Sequence, residues 1–166
     1  KRQLLTLIPD YSTHLGILNK GLFLSIMTVS TILTRLTTGK MSDKIGRAIT
    51  CAFGTSFWII SGILLAFNNL PLFYVAGITC GIASGINSPA LFAWAVDVAD
   101  GVRAGRALAT LFIALEIGIS IGAFSSAAIY QNNAANFVYV FGAVAILNGV
   151  ALLYLITYTK RFKMQS

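Results

Sequence analysis

The chain has 166 residues, of which 57% are hydrophobic and only 10% charged, and its mean hydropathy is +0.81. A soluble domain carries about 25% charged residues, so a single soluble core of this length cannot hide so much apolar surface, and the bilayer is the natural solvent. The net charge of +7 does not point to nucleic acid, because the bases sit at the ends of apolar runs rather than in one patch.

Residues 1–13 (KRQLLTLIPDYST) are too short and too charged for a full span. They read as the outer end of a span whose beginning is missing, with Leu4–Ile8 as the apolar remainder and Pro9 as a break. Lys1 and Arg2 would then sit at membrane depth, which is unfavourable, so an extracellular or interfacial arm is the alternative. His14 follows beside a turn on the outer side.

Five apolar runs come next, over residues 21–39, 49–67, 72–96, 107–130 and 137–158. Each is about 19 to 25 residues long, against roughly 20 for a helix across the hydrocarbon. The connections are short, so the chain is expected to weave up and down through the membrane. The first run carries one charge, Arg35, which is close enough to the end to snorkel to the surface.

Gly39–Arg47 reads GKMSDKIGR and gathers Lys40, Asp43, Lys44 and Arg47 between two runs that are almost free of charge. A tight loop is predicted here. Its glycines, Gly39 and Gly46, would let helix ends approach. Its acid and bases would pair with each other or with helix termini at the membrane face. The second run holds no charge at all. Cys51 in it and Cys80 in the third run fit neither a metal spacing nor a disulfide framework, and read as small residues facing lipid or a helix.

The third run spaces Gly77, Gly81 and Gly85 four apart, a smooth stripe for a neighbouring helix. Asn87, Ser88 and Pro89 interrupt it, and Pro89 frees a backbone carbonyl. Asn87 and Trp94 lie seven apart and share a face, a combination that suits a substrate cavity; a place in the interfacial aromatic belt is the other reading of Trp94. The loop 97–106 (DVADGVRAGR) is charged again, and Asp97 and Arg106 are expected near the first charged loop. Asp43, Arg47, Asp97 and Arg106 would then form one network.

Glu116 is the acid in the middle of the fourth run, about nine residues or 14 Å from its charged end. Such a carboxyl costs about 2.5 to 3.5 kcal/mol to insert, so it is expected to face a cavity or a partner. Two readings stand side by side: a site that takes up and releases a proton or binds substrate, and a structural acid bonded to another helix. Gly118 and Gly122 follow in a G-x-x-x-G pattern that permits close packing. Asn148 in the last run reads as a helix–helix hydrogen bond.

Charge bias fixes the orientation. Lys40, Lys44, Arg47, Arg103, Arg106 and the tail bases Lys160, Arg161 and Lys163 fall on one side, against Lys20 alone on the other. The charged loops and the C-terminus are therefore expected in the cytoplasm.

The charged loop resembles the signature G-x-L-x-D-R/K-x-G-R-R/K that the major facilitator superfamily of transporters carries between the second and third helices of a six-helix half, with a weaker copy between the eighth and ninth. Gly39, Asp43, Lys44, Gly46 and Arg47 match, while Met41 replaces the Leu and Ala48 the final base. Pro9-Asp10-Tyr11, Leu15-Gly16-Ile17 and Gly21-Leu22-Phe23 are similar to the end of the seventh helix and the start of the eighth. Ala114 to Gly118, with Gly122, is similar to the eleventh helix of drug-exporter-like members. Ala76-Gly77 stands where a first half carries an Arg, and no G-P-x-x-G-G occurs at Gly118–Gly122, so the chain looks like the C-terminal half.

The resemblance implies an all-α polytopic helix bundle and an integral protein of the plasma (inner) membrane. It implies secondary active transport of a small solute by alternating access, with proton-coupled efflux as the specific form. Residues 1–166 would be the C-terminal half, partnered by the lipid bilayer, an N-terminal half, a small-molecule substrate and protons. Asp43, Arg47, Asp97, Arg106, Gly39 and Gly46 would form the gate, with Asp43 meeting a helix N-terminus of the other half and Arg47 pairing with Asp97. Glu116, Asn87 and Trp94 are the cavity candidates. No metal, cofactor or nucleic acid is expected. Nor is an enzyme, since no Ser–His, H-E-x-x-H or paired-aspartate pattern lies in the runs. The alternative is a truncated, non-transporting remnant or scaffold that needs an N-terminal half.

Overall fold

Inside hydrocarbon every backbone N–H and C=O must be satisfied within its own segment, and an apolar run of span length does this as a helix. The computed structural model describes residues 21–67, 69–99, 103–131, 133 and 136–163. The expectations for residues 1–13, His14 and Lys20 lie outside them. The described residues form α1 (Leu22–Ile45), α2 (Arg47–Ala66), α3 (Leu70–Val98), α4 (Ala104–Tyr130) and α5 (Phe137–Lys163), with no strand among them. All five are long and apolar enough to cross a membrane. The chain is an all-α membrane helix bundle.

The first departure from the sequence reading is the charged loop. Residues 39–45 are helical and extend α1 to Ile45; only Gly46 lies outside a helix before α2 begins at Arg47. A Cβ at Gly39 would meet nothing within 4 Å, so Gly39 serves no close approach within this chain.

Order in sequence is not order in space. α1 and α2 are joined by one residue yet scarcely touch; α3 lies between them and packs on both. The cause is the small-residue face of α3. A Cβ on Gly81 would lie 2.5 Å from the Met27 carbonyl and collide with the Ser30 side chain, and one on Gly85 would lie 2.8 Å from Thr34 Cβ. The predicted stripe therefore seats α1, and Thr31 closes the contact by donating from Oγ1 to the Gly81 carbonyl at 3.1 Å. Contacts rise together along α1 and α3, so these two run parallel. On the other face Cys80 meets Ser61 and Asn87 meets Gly54, so α2 runs antiparallel to α3.

α5 packs on α2, where a Cβ on Gly62 would lie 3.2 Å from Ala145 Cβ. The core gathers Phe23, Leu65, Phe73, Ala76, Cys80, Phe137, Val140 and Phe141 from α1, α2, α3 and α5. α4 stands apart. Its one buried residue is Ser126, and a Cβ on Gly118 would meet nothing within 4 Å. Among the described residues, Gly118 of the G-x-x-x-G pattern packs against nothing, while Gly122 is half-buried. Asn148 bonds back to the Val144 carbonyl of its own helix at 2.8 Å, rather than across to another helix.

Candidate functional site

At the charged end of the bundle the chain turns on one residue. Gly46 adopts φ 100° and ψ 149°, a region that side chains other than glycine's rarely enter. Its N–H donates to the Ser42 carbonyl at 3.1 Å, and its carbonyl accepts from the Thr50 N–H at 3.1 Å and Thr50 Oγ1 at 2.9 Å. The turn is thereby tied to both helices it joins.

This turn delivers Arg47 into the space between two carboxylates. Nη1 lies 2.6 Å from Asp43 Oδ1, one turn back across the break, and Nε donates to Asp97 Oδ2 at 2.8 Å, at the far end of α3. Nη1 also donates to Ser42 Oγ at 3.0 Å. The guanidinium suits this arrangement, because its rigid planar fork carries donors on separate nitrogens, Nε for Asp97 and Nη1 for Asp43 and Ser42. Arg47 is 25% exposed, but Asp43 and Asp97 are 65% and 52% exposed. Pairs so open to solvent are worth about 0 to 1 kcal/mol each. The cluster can hold α1, α2 and α3 together at this face and can also be released cheaply.

Ser42 was not a candidate from sequence. Its buried hydroxyl completes the cluster, and only the turn at Gly46 brings it under the guanidinium. Arg106 is exposed on the first turn of α4 and takes part in neither ion pair found among the described residues. The four-residue network expected from sequence is a three-residue one here.

The three cavity candidates part company. Asn87 does not face open space. Its Oδ1 is buried against Gly54 of α2, where a Cβ would collide with it, and it has no conventional hydrogen-bond partner. The carboxamide is a wedge that only a glycine opposite accommodates. Trp94, seven residues on, lines an open groove of about 520 Å3 between α3 and α4 with Leu91, Ala107, Leu111 and Ala114. Its ring meets Tyr158 of α5 edge to face at 5.3 Å. Glu116 is exposed on α4, outside that groove. A second buried polar contact was also unforeseen: Ser61 Oγ and Cys80 Sγ lie 2.7 Å apart between α2 and α3. No group of three or more metal-binding side chains occurs among the described residues.

No curated protein and no solved structure matches the chain. The family pattern of the Major Facilitator Superfamily does match, over residues 4–164, and that is nearly the whole sequence. The five membrane-length helices agree with it. The chain therefore belongs to the major facilitator superfamily, whose members move small solutes across membranes.

Proposed function

We propose that this chain forms the C-terminal half of a secondary transporter that exports a small solute by alternating access, coupled to protons. The observation that carries the reading is the Arg47 cluster. It ties the ends of three helices at one membrane face through contacts too weak to be structural staples. A gate needs that property: it must close and open within each cycle. Asp43, Arg47 and Asp97 are its charged members, and Gly46 is the pivot. Asp43 keeps a largely exposed carboxylate, free to meet a helix N-terminus of a second half. The charge bias supports a cytoplasmic position for this face and the C-terminus, and the membrane proposed is the plasma (inner) membrane.

The bare face of α4 supports a second half. Glu116 and Gly118 are exposed among the described residues, and an uncovered carboxylate in hydrocarbon is costly. A cognate N-terminal half lying on α4 would give Glu116 a cavity, with Trp94 at its edge. Asn87 supports the wall from behind rather than touching solute.

The reading is tested by reconstitution. Liposomes holding residues 1–166 alone are expected to pass no solute. Co-expression with the cognate N-terminal half should restore flux, and a pH gradient should drive it. Flux from this chain alone would instead indicate that two copies build the site. A stable, monodisperse chain that gains nothing from an N-terminal half would favour a non-transporting scaffold.

A further inference from the structure

α1 and α2 diverge from Gly46 because α3 fills the space between them. Close to the charged end this leaves an open groove of about 360 Å3, walled by Leu33, Thr37 and Met41 of α1, Phe53 of α2, and Ile82 and Ile86 of α3. Along α1 it runs about 12 Å, at 1.5 Å per residue. The threonines in its wall offer little polarity. Thr34 Oγ1 donates to the Ser30 carbonyl at 2.7 Å, and Thr37 and Thr38 both donate to the Thr34 carbonyl, at 2.9 and 2.8 Å. Their hydroxyl protons are spent inside α1.

The mouth of the groove is cationic. Leu33, Thr37, Lys40 and Lys44 follow one another at helical spacing, so the two lysines continue the stripe that forms the wall. Both are exposed. The ion pairs among the described residues all belong to Arg47, which engages the neighbouring Asp43. Lys40 and Lys44 therefore keep their charge unanswered there. Long side chains on a helix lean toward its N-terminus, so Lys44 leans back over the turn of Met41.

The geometry points to a binding site for an anionic phospholipid, with one acyl chain along the groove and the phosphate at Lys40 and Lys44. A soluble anion would answer the lysines and leave the groove empty. A zwitterionic lipid would fill the groove but bring a cationic headgroup toward two ammonium groups. A polar solute would find no free hydroxyl donor in the wall. An anionic lipid satisfies both halves of the site.

The test uses the full protein in nanodiscs of phosphatidylcholine with a minor fraction of phosphatidylglycerol carrying a photoactivatable acyl chain. Cross-links are expected on the peptides that contain Leu33–Met41 and Phe53. Changing both Lys40→Gln and Lys44→Gln should lower the yield about 30-fold, at about 1 kcal/mol per lysine near an anionic surface. Lys160→Gln should leave it unchanged. Thr37→Phe fills the groove from an exposed position and should also lower it. Equal labelling by a phosphatidylcholine probe, adducts spread evenly over the bundle, or a yield indifferent to the two lysines would overturn the proposal. So would a groove closed to every lipid probe, which would mean that another helix occupies it.

Discussion

Arg47 donates through Nε to Asp97 at 2.8 Å while its Nη1 lies 2.6 Å from Asp43. One cation thus answers two carboxylates from different helices, and Ser42 is the third acceptor. Losing either acid leaves a pair; losing the fork leaves two acids facing each other. Arg47→Lys is therefore expected to impair transport more than Asp43→Asn or Asp97→Asn, because an ammonium gathers its donors on one nitrogen and lacks the rigid fork that reaches both carboxylates from separate ones. For the acid substitutions, a shift of about 0.2 to 1 kcal/mol between access states is expected, so at most about fivefold in their ratio. Thiol accessibility of a cysteine at Ala99 in the complete transporter would read it. Arg47→Lys behaving as wild type would remove the cluster from the gate.

Gly46 and Gly39 should behave in opposite ways. Gly46 holds φ 100°, and forcing a side chain into such a region costs about 1 to 3 kcal/mol. Gly39 lies inside α1 with open space around it, where alanine favours the helix by about 1 kcal/mol. Thermal unfolding in detergent should show Gly46→Ala destabilised and Gly39→Ala unchanged or stabilised. Equal losses at both would mean that the loop, not one pivot, carries the turn.

Gly81→Ala would press a methyl onto the Met27 backbone carbonyl, which cannot move aside as a side chain can. Overpacking of this kind costs about 1 to 3 kcal/mol. Gly118→Ala meets nothing in this chain and should leave its stability unchanged. In the complete transporter the same change should weaken association if a second half lies on α4. Co-purification with that half gives the readout; full recovery of the Gly118→Ala complex would argue that α4 faces lipid.

Glu116→Gln keeps the size and removes the carboxyl proposed to carry a proton. Transport by the complete protein is expected to lose its dependence on pH before it loses substrate binding. Matching pH profiles for variant and parent would leave Glu116 as a packing residue.

Much of the membrane architecture was legible in the sequence, because hydrocarbon imposes a simple rule. A run near 20 apolar residues must be a helix, and the five runs correspond in order to five helices of membrane length. The glycine stripe on α3 was equally readable, since only small residues at four-residue spacing let a second backbone so close. The charged residues at 39–47 misled the reading toward a loop. Charge is excluded from hydrocarbon, not from a helix that projects beyond it, so α1 continues to Ile45.

What the sequence determined by itself was the solvent and the number of membrane-length helices among the described residues, because each follows from local composition; that the chain turns on Gly46 alone was not legible, since all of Gly39–Arg47 read as a loop. The tertiary structure decided which side chains meet. Asn87 and Trp94 share a face by spacing, yet one is wedged against Gly54 and the other borders α4, because different helices cover successive turns of α3. Asp97 reaches Arg47 across fifty positions and Arg106 does not join them. Helix packing sets such meetings through the sizes of residues on two surfaces at once, and a single stretch of sequence carries only one of those surfaces.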